Sequence, residues 1–261
     1  MQADPQNLHT AARIALGCLD LTSLNDLDTE ADIARLCVRA QGRFGPVAAL
    51  CVWPRLAAFA RQQLPNTIRV AAVANFPNGS GDVAHAVRDT QLIVQSGAQE
   101  VDLVLPYRHL MAGDRALVAE VLAAVRKASE GLCLKVILET GLLQDPALMA
   151  LACRLALDAG ADFLKTSTGK TPVSATPDAA RLMLHAIATD HRGKHSVGFK
   201  PSGGVRTVRD AMVYMALTAD ALGASALQPE RFRIGASSLL DDIEMVLGNQ
   251  APSTAPVEGN Y

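Results

Sequence analysis

Eight short apolar runs punctuate this chain, and each is followed by a segment long enough for a helix. The runs are Leu19–Leu21, Val47–Val52, Arg69–Phe76, Glu100–Pro106, Cys133–Glu139, Asp162–Thr168, Ser196–Lys200 and Phe232–Ala236. The intervening helices are expected near 29–42, 54–64, 81–96, 113–129, 145–159, 177–190, 207–220 and 237–248. The units recur about every 25–35 residues, the size of a βα unit. Strands that alternate with helices require parallel pairing through crossovers. Eight such units in 261 residues fit a (β/α)8 TIM barrel better than an open sheet. An open doubly wound sheet usually begins with a Gly-x-Gly-x-x-Gly turn after its first strand, and this chain has none.

Residues 5–16 read as an extra N-terminal helix that could plug the N-terminal end of the barrel. Residues 1–248 are therefore expected to form a single (β/α)8 domain. The Pro/Gly-rich stretch 249–261 is expected to be a disordered, flexible tail.

Composition removes several function classes. The chain is 49% hydrophobic with a net charge of −2, so neither nucleic acid nor an anionic membrane is an expected partner. Only 4% of residues are aromatic, too few for base-stacking platforms. No apolar run reaches the roughly 18 residues of a membrane helix. Five cysteines without a Cys-x-x-Cys pair read as reduced thiols. With no signal-peptide pattern at the start, the expected location is cytoplasmic.

In such barrels the active site forms at the C-terminal ends of the strands. Those ends carry Asp20, Cys51, Asn75, Asp102, Glu139, Lys165, Thr168, Lys200 and Ser237. Two of them are lysines in apolar runs, where a charge is costly. A neutral lysine amine is a nucleophile toward carbonyls, and a second cation nearby favours that neutral form. Lys165 is accordingly the expected nucleophile, and Lys200 the cation that keeps it reactive. A plain strand cap for Lys165, or phosphate binding or an ion pair for Lys200, is the alternative. Lys135 begins its strand and reads as support from deeper in the barrel. Asp102, between Val101 and Leu103, must be paired; it is a candidate general acid/base acting through water, or the partner of either lysine.

Gly203-Gly204 and Gly235-Ala-Ser-Ser238 follow the seventh and eighth runs. Glycines let backbone N–H groups approach an anion, and a helix start near Ser237 adds its positive end. With Gly169-Lys170 after the sixth run, they suggest a phosphate cradle. A metal is not expected. His191 and His195 lie in a polar stretch, and Glu139-Thr140 has no partner at metal spacing.

These segments together resemble the 2-deoxyribose-5-phosphate aldolase family of class I aldolases. The resemblance runs from about Leu19 to Leu240. It is carried by Leu19-Asp-Leu-Thr-Ser-Leu-Asn-Asp26, Asn75-Phe-Pro-Asn-Gly79, Glu100-Val-Asp-Leu-Val-Leu-Pro-Tyr107, Leu134-Lys-Val-Ile-Leu-Glu-Thr-Gly141, Asp162-Phe-Leu-Lys-Thr-Ser-Thr-Gly-Lys170, Gly198-Phe-Lys-Pro-Ser-Gly-Gly-Val-Arg-Thr207 and Phe232-Arg-Ile-Gly-Ala-Ser-Ser238.

The resemblance implies a cofactor-free (β/α)8 aldolase with Lys165 as Schiff-base lysine and Asp102 and Lys200 as proton carriers. It puts the substrate phosphate near Gly169, Lys170, Gly203, Gly204, Ser237 and Ser238. It implies the reversible cleavage of 2-deoxy-D-ribose 5-phosphate to acetaldehyde and D-glyceraldehyde 3-phosphate in deoxyribonucleotide catabolism. A homodimer is implied as well. Supporting roles fall to Asp20, Lys135, Thr168 and Cys51, and Tyr261 matches a tail tyrosine that some members use in proton transfer. Cys51 could capture an unsaturated aldehyde formed from two acetaldehydes; a buried core thiol is the equal alternative. Two other readings compete: a lysine aldolase for ketose phosphates, and a sugar-phosphate sensor without turnover.

Overall fold

The computed structural model describes residues 5–190, 192 and 197–248. Within them eight strands form one parallel sheet: β1 (Leu19–Thr22), β2 (Ala49–Val52), β3 (Arg69–Ala74), β4 (Glu100–Val104), β5 (Cys133–Ile137), β6 (Phe163–Lys165), β7 (Gly198–Lys200) and β8 (Ile234–Ala236). Each strand pairs with its sequence neighbour, and β1 also pairs with β8. The circle closes between β7 and β8. There Phe199 N–H donates to Arg231 O at 2.9 Å and Gly235 N–H to Pro201 O at 2.9 Å. The eight runs are thus the eight staves of a (β/α)8 barrel; β1 extends one residue past its run, and the other strands are two to four residues shorter than theirs.

The outer layer comprises α1 (Pro5–Gly17), α2 (Glu30–Arg39), α3 (Pro54–Gln63), α4 (Val83–Gln95), α5 (Tyr107–Met111), α6 (Arg115–Ala128), α7 (Pro146–Asp158), α8 (Pro177–Ala188), α9 (Val208–Leu222) and α10 (Leu239–Leu247). Their starts are chemically marked. Thr29 with Asp32 and Thr207 with Asp210 form capping boxes, each satisfying two otherwise orphaned donors. Asp82 and Asp114 cap α4 and α6, and Pro54, Pro146 and Pro177 fill the first turns of α3, α7 and α8. Proline belongs there because that N–H has no helical partner. The five-residue α5 went unread in the sequence because Pro106 ends the strand pattern before it.

The N-terminal helix exists, but it does not plug the barrel. α1 packs on α9 and α10 in the outer ring, burying Ala11, Ala12, Ala15 and Leu16. Those apolar positions fall on one stripe, which demands a flat helical neighbour rather than a ring of strand ends. The N-terminal end of the barrel instead holds a cavity lined by Gly17, Val47, Asn66, Arg69, Glu230 and Arg233 among others.

Strand bodies are buried on both faces, as a parallel barrel requires. Their outward residues, such as Leu50, Val70, Val101, Leu134, Val136 and Leu164, join the helices in one apolar core. The inward faces are different, and they carry the site. At Gly198 a Cβ would lie 2.3 Å from the Phe163 ring, so β6 and β7 approach this closely only because residue 198 has no side chain.

Candidate active site

Seven ionisable side chains meet inside the barrel. Register places them: Asp102 stands opposite Lys135 across β4 and β5, and Lys165 opposite Lys200 across β6 and β7. Asp102, Lys135, Lys165, Lys200 and Asp20 are all within 2% of complete burial. Lys165 Nζ lies 2.8 Å from Asp102 Oδ2, and Lys200 Nζ lies 2.7 Å from that same oxygen. Lys135 Nζ takes the other oxygen, Oδ1, at 2.8 Å. Lys200 also reaches Asp20 Oδ2 at 2.5 Å.

A second tier lies beneath. Lys135 bonds Glu100 Oε2 at 2.5 Å, and Arg233 joins Asp20 Oδ1 at 2.6 Å to Glu100 Oε1 at 2.8 Å. Glu100 and Arg233 were not recognised in the sequence as part of this cluster. Parity is the available signal for Glu100, which stands two residues before Asp102 on the same strand and so faces the same side. Arg233 has no such signal, because it meets Asp20 and Glu100 only once β8 closes the barrel.

Burying an ion costs several kcal/mol after relaxation, so a group like this persists only as a paired network. Burial alone would raise the Asp102 carboxyl, but Lys135, Lys165 and Lys200 override it and hold it well below the ordinary carboxylate range. Asp20 is lowered in the same way by Lys200, Arg233 and Lys135 against its burial. Conversely, burial would lower Lys135 and Lys200, but the carboxylates hold both above the ordinary lysine value. Four cations (Lys135, Lys165, Lys200, Arg233) face three carboxylates (Asp20, Glu100, Asp102). One positive charge is in excess. Lys165 is the lysine with a single carboxylate contact, so it is the amine the network restrains least.

Cys51 also faces inward, with Sγ 3.8 Å from Asp102 Oδ2. Burial and the Asp102 charge push its thiol up, which favours the unreactive protonated form. Asn75 belongs elsewhere. Its side chain accepts from Ser80 N–H and donates to Ser80 O and Val104 O, tying the loop after β3. Tyr261, His191, His195 and the stretch 249–261 lie outside the described residues.

Above the charge network is a cavity of about 160 Å³. Its walls include all six residues of the expected phosphate cradle: Gly169, Lys170, Gly203, Gly204, Ser237 and Ser238. Thr168 is there too, together with Thr22 at the end of β1 and Ser23 and Asn25 from the loop after it, which sequence reasoning passed over. Gly203 and Gly204 both have φ +81, a left-handed backbone that side chains disfavour. Gly235 links cavity to lysines, since a Cβ there would come within 3.1 Å of Lys200 Cε. Ser238 is the N-cap residue of α10, so the positive end of that helix opens at the cavity. The arrangement can hold an anion at one end and present an amine with a shared carboxylate at the other.

Among the described residues, no group of three His, Cys, Asp or Glu is arranged to hold a metal ion. None of the described helices is long and apolar enough to cross a membrane.

Comparison with known proteins agrees with this geometry. The family model "DeoC/LacD family aldolase" matches residues 14–244. A deoxyribose-phosphate aldolase from Agrobacterium fabrum (strain C58 / ATCC 33970) is 48% identical over 98% of both chains. A proposed deoxyribose-phosphate aldolase structure from Coccidioides immitis is 31% identical, covers 88% of this chain and 85% of its own, and has a TM-score of 0.75. A structure of the deoxyribose phosphate aldolase of Aeropyrum pernix, 24% identical, covers 94% of this chain and 92% of its own with a TM-score of 0.69, and it supports the fold alone. With an anion-sized cavity set over a lysine pair, and a family model matching residues 14–244, this chain belongs to the DeoC/LacD family of aldolases.

Proposed function

We propose that this chain reversibly cleaves 2-deoxy-D-ribose 5-phosphate to acetaldehyde and D-glyceraldehyde 3-phosphate through a Schiff base on Lys165. The observation that carries the proposal is the single oxygen, Asp102 Oδ2, shared by Lys165 and Lys200 beneath the glycine-walled cavity. The Agrobacterium fabrum relative, a deoxyribose-phosphate aldolase, supports the choice of sugar.

The sugar phosphate sits among Gly169, Lys170, Gly203, Gly204, Ser237 and Ser238, which leaves C1 of the open chain toward Lys165. The neutral Lys165 amine adds to that carbonyl carbon and gives a carbinolamine. Asp102, with a water, passes the proton that lets the hydroxyl leave as water, and an iminium forms. The iminium carries the same single charge as the original ammonium, so the surrounding network holds both equally. Loss of the proton on the C3 hydroxyl then breaks the C2–C3 bond. The bonding pair moves into the iminium, giving an enamine, and glyceraldehyde 3-phosphate departs. Protonation at C2 restores an iminium, and water releases acetaldehyde and the free amine. Lys200, held cationic by Asp102 and Asp20, stands beside the reacting amine as a fixed positive charge on the shared oxygen. Asp20 and Lys135 fix that geometry from below. We assign the reaction to deoxyribonucleotide breakdown in the cytoplasm.

Borohydride trapping tests the reading. Acetaldehyde and borohydride together should add one reduced two-carbon group at Lys165, located by peptide mapping. Absence of that adduct, or its appearance on another lysine, rejects the mechanism.

A further inference from the structure

Glu139 is a buried carboxyl that the mechanism above leaves unused. It follows β5, is fully buried, and has φ 57. A non-glycine residue in that conformation costs on the order of 1–3 kcal/mol and persists only where surrounding contacts over-determine it. Here the contacts run to one loop. The Thr168 hydroxyl donates to Glu139 Oε2 at 2.5 Å and in turn accepts Lys170 N–H at 3.0 Å. On the far side of the same loop, the Thr171 hydroxyl lies 3.3 Å from Glu139 Oε1. Gly169 and Lys170, which line the cavity, are thus pinned on both flanks by one carboxyl.

The loop's hydroxyls are shared between that carboxyl and the backbone. Thr171 has one hydrogen and two acceptors in reach, Glu139 Oε1 and, closer at 2.9 Å, Val173 O. Only the hydroxyl can donate to the carbonyl. The Thr168 N–H lies 3.4 Å from both Glu139 oxygens, a further tie to the same loop. Among the described residues no salt bridge reaches Glu139, and burial raises its carboxyl above the ordinary value despite the Thr168 bonds.

We propose that Glu139 is the positioning residue for the substrate phosphate, holding Gly169 and Lys170 through Thr168 and Thr171 and thereby setting the preference for phosphorylated over unphosphorylated sugars. This rests on reading the cavity as the phosphate site.

The test compares cleavage of 2-deoxyribose 5-phosphate and of 2-deoxyribose by the full chain and by E139A, E139Q and T168V. In E139A, KM for the phosphorylated sugar should rise about tenfold, the scale of one lost positioning hydrogen bond, with kcat nearly unchanged. Kinetics on the unphosphorylated sugar should not move. E139Q should stay close to the parent, because its amide both accepts from Thr168 and donates to Thr171. T168V, which breaks the same chain of contacts at its next link, should raise KM for the phosphorylated sugar as E139A does and decides the matter if E139A does not fold. An unchanged KM in both E139A and T168V overturns the inference, and so does an equal loss on both sugars. If the parent chain itself shows no preference for the phosphorylated sugar, the phosphate reading of the cavity fails first.

Discussion

Lys165 and Lys200 stand in register across β6 and β7, and their two amines converge on one oxygen, Asp102 Oδ2, at 2.8 and 2.7 Å. Two cations on one lone-pair cluster is a costly arrangement in a buried site, tolerable because Asp20 takes up part of Lys200. It keeps a cation beside Lys165, the amine proposed above as the nucleophile.

Lys165→Leu should abolish aldol cleavage and acetaldehyde trapping while leaving the fold intact. The substitution removes the excess positive charge, so the remaining three cations and three carboxylates are balanced. Thermal melting should give a midpoint no lower than that of the parent chain. A large fall in the midpoint would show that Lys165 is a structural ion rather than a spare one.

Lys200→Met should lower kcat by roughly 10²–10⁴-fold, the range for loss of a proton-transfer group. Asp20 and Asp102 each lose a partner, so some destabilisation should accompany it. Rate and stability are separable by steady-state kinetics and urea unfolding on the same preparation. A variant with parent-like kcat would remove Lys200 from the chemistry.

Glu100→Gln should destabilise the chain by about 3–5 kcal/mol, the cost of leaving buried partners uncompensated. Glu100 is 1% exposed and bonds both Lys135 and Arg233. Asp178→Asn removes an exposed pair with Arg181, and such pairs contribute about 0–1 kcal/mol. Urea unfolding of the two variants should therefore differ by several-fold in lost free energy, and equal losses would contradict the buried-network account.

Stability should show two limbs with pH. Asp102 and Asp20 are held below the ordinary range in the folded state. Their contribution is present above the unfolded value of about 3.9 and is lost as pH falls through the lower folded values. Lys135 and Lys200 are held above the ordinary range, so their contribution is full below about 10.4 and is lost as pH rises beyond it. Unfolding free energies measured across pH should fall at both extremes, and Asp102→Asn should flatten the acid limb. An acid limb of parent steepness in that variant would assign it to other carboxylates.

Gly203→Ala and Gly204→Ala separate crowding from backbone strain. Both positions have φ +81, which costs an L-residue about 1–2 kcal/mol. Only at Gly203 would the new Cβ collide, lying 2.6 Å from Ser174 Cβ and Oγ, whereas Gly204 has open space. Gly203→Ala should lose more stability, and it should raise KM more, since the new Cβ would also lie 3.3 Å from Cα of Gly169, which lines the cavity. Equal melting midpoints for the two variants would show that the loop relaxes freely.

The sequence by itself determined the alternation of strand and helix, the count of eight, and the strands on which Lys165, Lys200 and Asp102 fall, although Asp102 stands in the middle of β4 rather than at its end. Those features are local. A two-residue period decides which side chains face inward, caps and prolines mark helix starts, and glycine-rich turns mark where backbone can approach an anion. Only the tertiary structure decided which charges meet. Asp20 and Arg233 are 213 residues apart and Glu100 and Arg233 are 133 apart, and they are joined because β8 closes onto β1. The outward packing of α1 and the grip of Glu139 on the Thr168–Thr171 loop have the same origin. A buried charge or a strained backbone must find its partners wherever closure of the barrel puts them, and no sequence period encodes that distance.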